Sequence, residues 1–118
     1  MPGPIKRTGN YEVLHEVVEH DGVIYLGGVV SDDLSLDMEG QTRDVLGQID
    51  RLLAEHGSSR DRLLSSMIFI TDMRLKPEMN IVWKQWLASD HLPTRATIGV
   101  NDLGEGVLLE IVVTAATA

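Results

Sequence analysis

The chain contains no cysteine. That single absence removes disulfides, thiolate metal sites and a cysteine nucleophile. Aromatic residues are scarce too, 4% of 118 residues, so the core rests on Leu, Ile, Val and Met. Ten basic residues face eighteen acidic ones, a net charge of −8. The ten are scattered from Lys6 to Arg95 without a run, whereas binding to a phosphate backbone needs clustered Lys and Arg. Nucleic acid is therefore not an expected partner, although a local basic site on an acidic surface still suits a small carboxylate. No apolar run reaches membrane-spanning length, and "MPGPIKRTGNYE" lacks the apolar stretch of a signal peptide. The expectation is a soluble cytoplasmic protein with no membrane partner.

What is present reads as one α+β domain, residues 1–118. "YEVLHEVVEHDGVIYLGGVV" is a hairpin pattern in which Asp21-Gly22 supplies the positive backbone dihedrals of a two-residue turn. Asp37 is positioned to cap a helix whose apolar residues, Met38, Val45, Leu46, Ile49, Leu52 and Leu53, recur at three-and-four spacing up to Gly57. A strand is expected over 63–73. Pro77 suits the first turn of a second helix, with Met79, Val82, Trp83, Trp86 and Leu87 on its apolar side and Pro93 marking its end. Strands over 94–100 and 107–116 complete the order β-β-α-β-α-β-β. Right-handed crossovers put both helices on one face of a single mixed sheet. The other face then lacks cover within the chain, which points to a homo-oligomer.

Two ionisable residues interrupt otherwise apolar strands. In "LPTRATIGV" the residues Arg95, Thr97 and Gly99 share one face, opposite Ala96, Ile98 and Val100. In "VLLEIVVTAA" the apolar set Leu109, Ile111, Val113 and Ala115 suits the helices, leaving Leu108, Glu110, Val112 and Thr114 on the other side. The polar members of both strands are expected on the face away from the helices, lining a cleft at the subunit contact. An ion pair between Arg95 and Glu110, or from each to a neighbouring subunit, is the competing explanation. His15, His20, His56 and His91 lack metal-ligand spacing, and "LGGVV" and "LGEGV" do not lead helices as a phosphate loop does. Asp32, Asp33 and Asp37 lack the calcium-loop pattern. Trp83 and Trp86 read as core or interface.

The segments "DGVIYLGG", "QTRDVLGQIDRLLAEHG", "IFITDM", "MNIVWKQWL", "PTRATIGV" and "GVLLEIVVTAA", in this order and spacing, resemble the reactive intermediate deaminase family, RidA or YjgF, nearly end to end. The resemblance implies a chorismate-mutase-like fold and a homotrimer with clefts between subunits. It also implies cofactor-free hydrolysis of 2-imino acids and their enamine tautomers to 2-keto acids and ammonia. By the same resemblance, Arg95 of the "P-x-R" segment binds the substrate carboxylate and Glu110 handles the water. Departures are visible. The family's "S-G-Q" reads Gly27-Gly28-Val29, its frequent cysteine is Thr97, and its frequent tyrosine falls on His15. Thr97, His15 and Gly27 are therefore candidate substrate contacts with altered chemistry. Rival expectations are a non-catalytic keto-acid binder, a pathway deaminase acting on a substrate such as an aminomuconate, and a ribonuclease or translation inhibitor.

Overall fold

The computed structural model describes residues 3–118. Its strands are β1 (Lys6–Tyr11), β2 (Leu14–His20), β3 (Val23–Leu26), β4 (Leu63–Ile70), β5 (Thr94–Gly99) and β6 (Leu109–Ala116), with helices α1 (Met38–Glu55) and α2 (Lys76–Trp86). They form one six-stranded sheet in the order β1-β2-β3-β6-β4-β5. Only β4 and β5 pair in parallel. The architecture is the expected α+β single sheet with two helices, with one strand more than the pattern predicted. The extra strand is β1, a segment to which the sequence pattern assigns no element. Its residues KRTGNY are polar and mostly exposed, so it carries none of the alternation by which strands are recognised. Its register is set entirely by antiparallel pairing to β2.

Local chemistry explains the rest. Asp21 (φ 48°) and Gly22 (φ 80°) form the left-handed turn between β2 and β3. The Asp37 carboxylate accepts the Gly40 N–H at 2.9 Å, capping α1. Gly57, at φ 75°, lets the chain leave that helix. Pro77 opens α2, which ends at Trp86, well before Pro93. Val45, Leu46, Ile49 and Leu53 of α1 and Met79, Val82 and Trp83 of α2 bury against Ile24, Ile68, Ile111 and Val113 of the sheet. Burying a single Leu or Ile in such a core stabilises by about 1.5–3 kcal/mol, and the cluster spans both helices and the central strands.

One buried polar residue orders the approach to β6. Gln41, 1% exposed, donates from Nε2 to the carbonyls of Leu36 (3.1 Å) and Gly106 (2.9 Å), and its Oε1 accepts the Leu108 N–H (3.0 Å). All of its strong hydrogen-bonding positions but one are used. α1 thereby holds the loop that delivers Glu110.

The face opposite the helices is open. Tyr25, Met67 and Ile98 are among its exposed apolar side chains, and the Ser65 and Thr114 hydroxyls pair across it at 2.6 Å.

Candidate functional site

β6 alternates as its sequence suggests: Leu109, Ile111, Val113 and Ala115 are buried and the residues between them half-buried. Glu110 pairs with Phe69 and so lies on the open face. Its carboxylate rests on Gly28. A Cβ built on Gly28 would sit 2.8 Å from the Glu110 Cδ and closer still to Oε2, so only glycine leaves that carboxylate where it is. The backbone around it is held by reciprocal hydrogen bonds between Val29 and Ile111, 2.9 and 3.0 Å. A cleft of about 400 Å³ opens beside Gly27 and Gly28, lined by Tyr11, Glu16 and, from α1, Gln48 and Leu52; Glu110 is not among its lining residues. His15, half-buried on β2 opposite Asn10, does not line it.

Arg95 lies elsewhere. β5 pairs in register with β4, Arg95 with Ser66 and Thr97 with Ile68. Ser66 and Ile68 are 2% and 0% exposed and belong to the helix-covered face. Arg95 and Thr97 therefore point towards the helix layer, and Ala96 and Ile98 towards the open one. This corrects the sequence-based expectation that Arg95, Thr97 and Glu110 share a face. Alternation along a strand groups side chains into two sets, but the register with the neighbouring strand decides which set meets the core. Polarity misleads here because β5 is an edge strand and α2 offers Arg95 a seat. The guanidinium carbon sits 5.2 Å from the centroid of the Trp83 ring.

Arg95 has no acidic partner among the described residues. Partial burial alone pushes its pKa down from the ordinary arginine value, while the group stays charged. Two polar atoms, one on β5 and one on α2, are unsatisfied. Thr97 Oγ1 and Asn80 Oδ1 are buried and without a hydrogen-bond partner. Arg95 lies over Trp83 of α2, and Gly99 at the end of β5 lies close to Met73, in the turn before α2. Thr97 falls between them along β5, and Asn80 lies one helical turn before Trp83. A buried orphan of this kind costs about 1–3 kcal/mol and calls for a missing partner. Nothing in the sequence pattern marks Asn80; burial without a partner is what reveals it.

The chain thus carries two separated half-sites. One is Arg95 with Thr97 on the helix side of edge strand β5. The other is Glu110 on Gly28, on the open side of β6. β4 lies between them, and the two Cα positions are roughly 14 Å apart by strand geometry, on opposite faces of the sheet. Among the described residues no group of three or more His, Asp or Glu side chains could hold a metal ion. No helix is long and apolar enough to cross a membrane.

A small single-sheet α+β domain with an open apolar face and an unpaired arginine on its edge strand is the class these features define. Comparison with known proteins gives the family. A family profile described as Endoribonuclease L-PSP matches residues 5–117. A RutC family protein of Haemophilus ducreyi is 36% identical over 101 residues, covering 86% of each chain. The RutC family protein YoaB of Escherichia coli is 33% identical over 101 residues, covering 86% of this chain and 88% of that one. Among solved structures, NMB1025 of Neisseria meningitidis, a member of the YjgF protein family, superposes with a TM-score of 0.93 at 36% identity, covering 98% of this chain and 96% of that one. An uncharacterized protein of Pseudomonas aeruginosa superposes equally well, TM-score 0.93 at 35% identity, covering 98% and 100%. The chain belongs to this RutC/YjgF family, to which the name RidA also applies.

Proposed function

We propose that the protein is a cytoplasmic homotrimer that hydrolyses reactive 2-imino acids, or their enamine tautomers, to 2-keto acids and ammonia. The observation that carries the reading is the pair of complementary half-sites on opposite faces of the sheet. One chain cannot bring Arg95 and Glu110 to the same small molecule, whereas two adjacent copies can. The open apolar face of each sheet is the surface a neighbouring copy would cover, and the resemblance drawn from the sequence motifs supports three copies in a ring.

In this reading Arg95 of one protomer takes the substrate carboxylate through two parallel charge-assisted hydrogen bonds. Thr97 Oγ1 donates to the same carboxylate, and the Asn80 amide supplies an acceptor for the imine N–H. Glu110 of its partner holds a water against the imine carbon and takes a proton from it as the C–O bond forms. That proton returns to the nitrogen of the carbinolamine. Glu110 then takes the hydroxyl proton and passes it to the nitrogen, so that the C–N bond breaks, ammonia leaves and the carbonyl forms. No metal or organic cofactor enters this sequence. Positioning supplies most of the acceleration, because the reaction already proceeds in water. Gly27 and Val29 contribute no side-chain hydrogen bond to this wall, which suits an apolar substrate side chain. His15 stands back from it.

The test is a competition assay. An amino acid oxidase generates the imine in place, semicarbazide traps it, and the protein is expected to lower semicarbazone formation while Arg95→Ala is not. Carboxylate binding without ammonia release would replace the enzyme with a keto-acid binding module. A ribonuclease reading, prompted by the name of the family profile, meets a net charge of −8 and no basic strip; RNA cleavage that survives Arg95→Ala would revive it.

A further inference from the structure

Among the described residues two arginines lie over tryptophan rings of α2, and their difference is informative. Arg60 lies 5.3 Å from the Trp86 centroid. Three of its five N–H groups are used: Nε and one terminal nitrogen donate to Asp50 at 3.1 and 2.6 Å, and the other terminal nitrogen donates to the Trp86 carbonyl at 2.9 Å. Trp86 Nε1 completes the network on Asp50 at 3.0 Å. This arrangement ties α1 to α2 and gives the Arg60 guanidinium a carboxylate partner within the chain.

Arg95 occupies the same kind of seat, 5.2 Å from the Trp83 centroid, with its N–H edge free among the described residues. Stacking uses the face of a guanidinium and leaves the five N–H groups in its plane available. Trp83 is itself 5% exposed, clamped between the helices and the sheet, so its ring cannot follow a moving side chain. A long flexible arginine would otherwise sample many rotamers, and ordering it on binding costs free energy.

We infer that Trp83 is a positioning residue for the carboxylate clamp: its indole face holds the Arg95 guanidinium flat and unpaired before the substrate arrives. The inference rests on the proposed imine chemistry only for its kinetic readout. Trp83 touches no reacting atom. Its effect belongs to carboxylate binding, in KM and in the Kd of a keto acid, and not to the water attack at Glu110. Removing the ring interaction is expected to raise KM roughly tenfold, the range of a desolvated cation–π contact, with kcat changed less than about twofold.

Because Trp83 is a core residue, the test needs a perturbation that keeps its volume. Fluorotryptophans weaken the ring quadrupole stepwise at nearly constant shape. In a Trp86→Phe background Trp83 is the only indole, and the unfluorinated Trp86→Phe protein is the reference. KM for the imine and the Kd of 2-oxobutanoate should rise with each added fluorine while kcat stays level, and Trp83→Phe should retain more affinity than Trp83→Leu. A flat KM and Kd across the series, with turnover intact, overturns the inference and leaves the deaminase reading standing. If the unfluorinated protein neither turns over imines nor binds 2-oxobutanoate, the proposed function falls. The seat is then decided by NMR of the Arg95 Nε–H. A ring-shifted resonance that relaxes in Trp83→Leu supports it, and an unshifted one refutes it.

Discussion

Mixed oligomers test the central geometric argument. Arg95 and Glu110 lie on opposite faces of one sheet, so in the proposed oligomer each site takes its arginine from one chain and its glutamate from the next. Arg95→Ala removes a bidentate, charge-assisted contact, about 1.5–3 kcal/mol, and should lower kcat/KM roughly 10- to 150-fold. Glu110→Gln should reduce kcat more than binding, since the amide holds a water but takes no proton from it. Every site in either homo-oligomer is then defective. When the two variants are co-expressed in equal amounts and assemble at random in a closed ring, a site is intact where a Glu110→Gln chain supplies the arginine and an Arg95→Ala chain supplies the glutamate. About one quarter of the sites meet both conditions. The mixture should recover about a quarter of wild-type imine turnover, and a chain carrying both substitutions should rescue neither variant. The assay is semicarbazone competition on the whole co-expressed mixture, purified through a tag common to both chains so that homo-oligomers are retained. A mixture as inactive as its components would show that one chain supplies both groups, and the opposite-face argument would be wrong.

Three further outcomes are expected. Gly28→Ala should fold normally, since no positive φ is required there, yet lose at least about tenfold in turnover because the new Cβ displaces the Glu110 carboxylate; unchanged turnover would mean that this carboxylate position is irrelevant. Asp50→Ala strips the acceptor from Arg60 and Trp86. It should cost about 1–2 kcal/mol after allowing for solvent at this half-exposed pair, seen as a melting temperature several degrees lower with turnover per folded oligomer preserved. Acid should also destabilise the fold. The Asp32 backbone N–H and the Gln48 amide hold the Asp44 carboxyl below its ordinary value of 3.8, and Ser35 and Arg74 do the same for Asp33 and Asp72. A depressed folded pKa contributes stability that is present above the unfolded value and lost as pH falls through the folded one. Melting temperature should therefore fall steeply below about pH 4, and less steeply in Asp44→Asn; identical slopes would count against Asp44.

The sequence by itself determined much of this protein. Hydrophobic spacing marks both helices, and Asp37 and Gly57 mark the ends of the first. The Asp21-Gly22 turn and the alternation in β6 are equally plain, because each depends on neighbours in the chain. The family could be read there too, from the order of six segments, and with it Arg95 and Glu110 as the residues to examine. Strand β1 was not legible, since a polar edge strand is defined by hydrogen bonds to β2 and carries no pattern of its own. Asn80 was hidden for a related reason: an unpaired amide is visible only once everything around it is in place. The face of β5 was decided by tertiary structure alone. Period two says that Arg95 and Thr97 point the same way, and nothing local says which way that is. The parallel register with β4 and the indole of Trp83 settle it, and so divide the two candidate residues between opposite sides of the sheet.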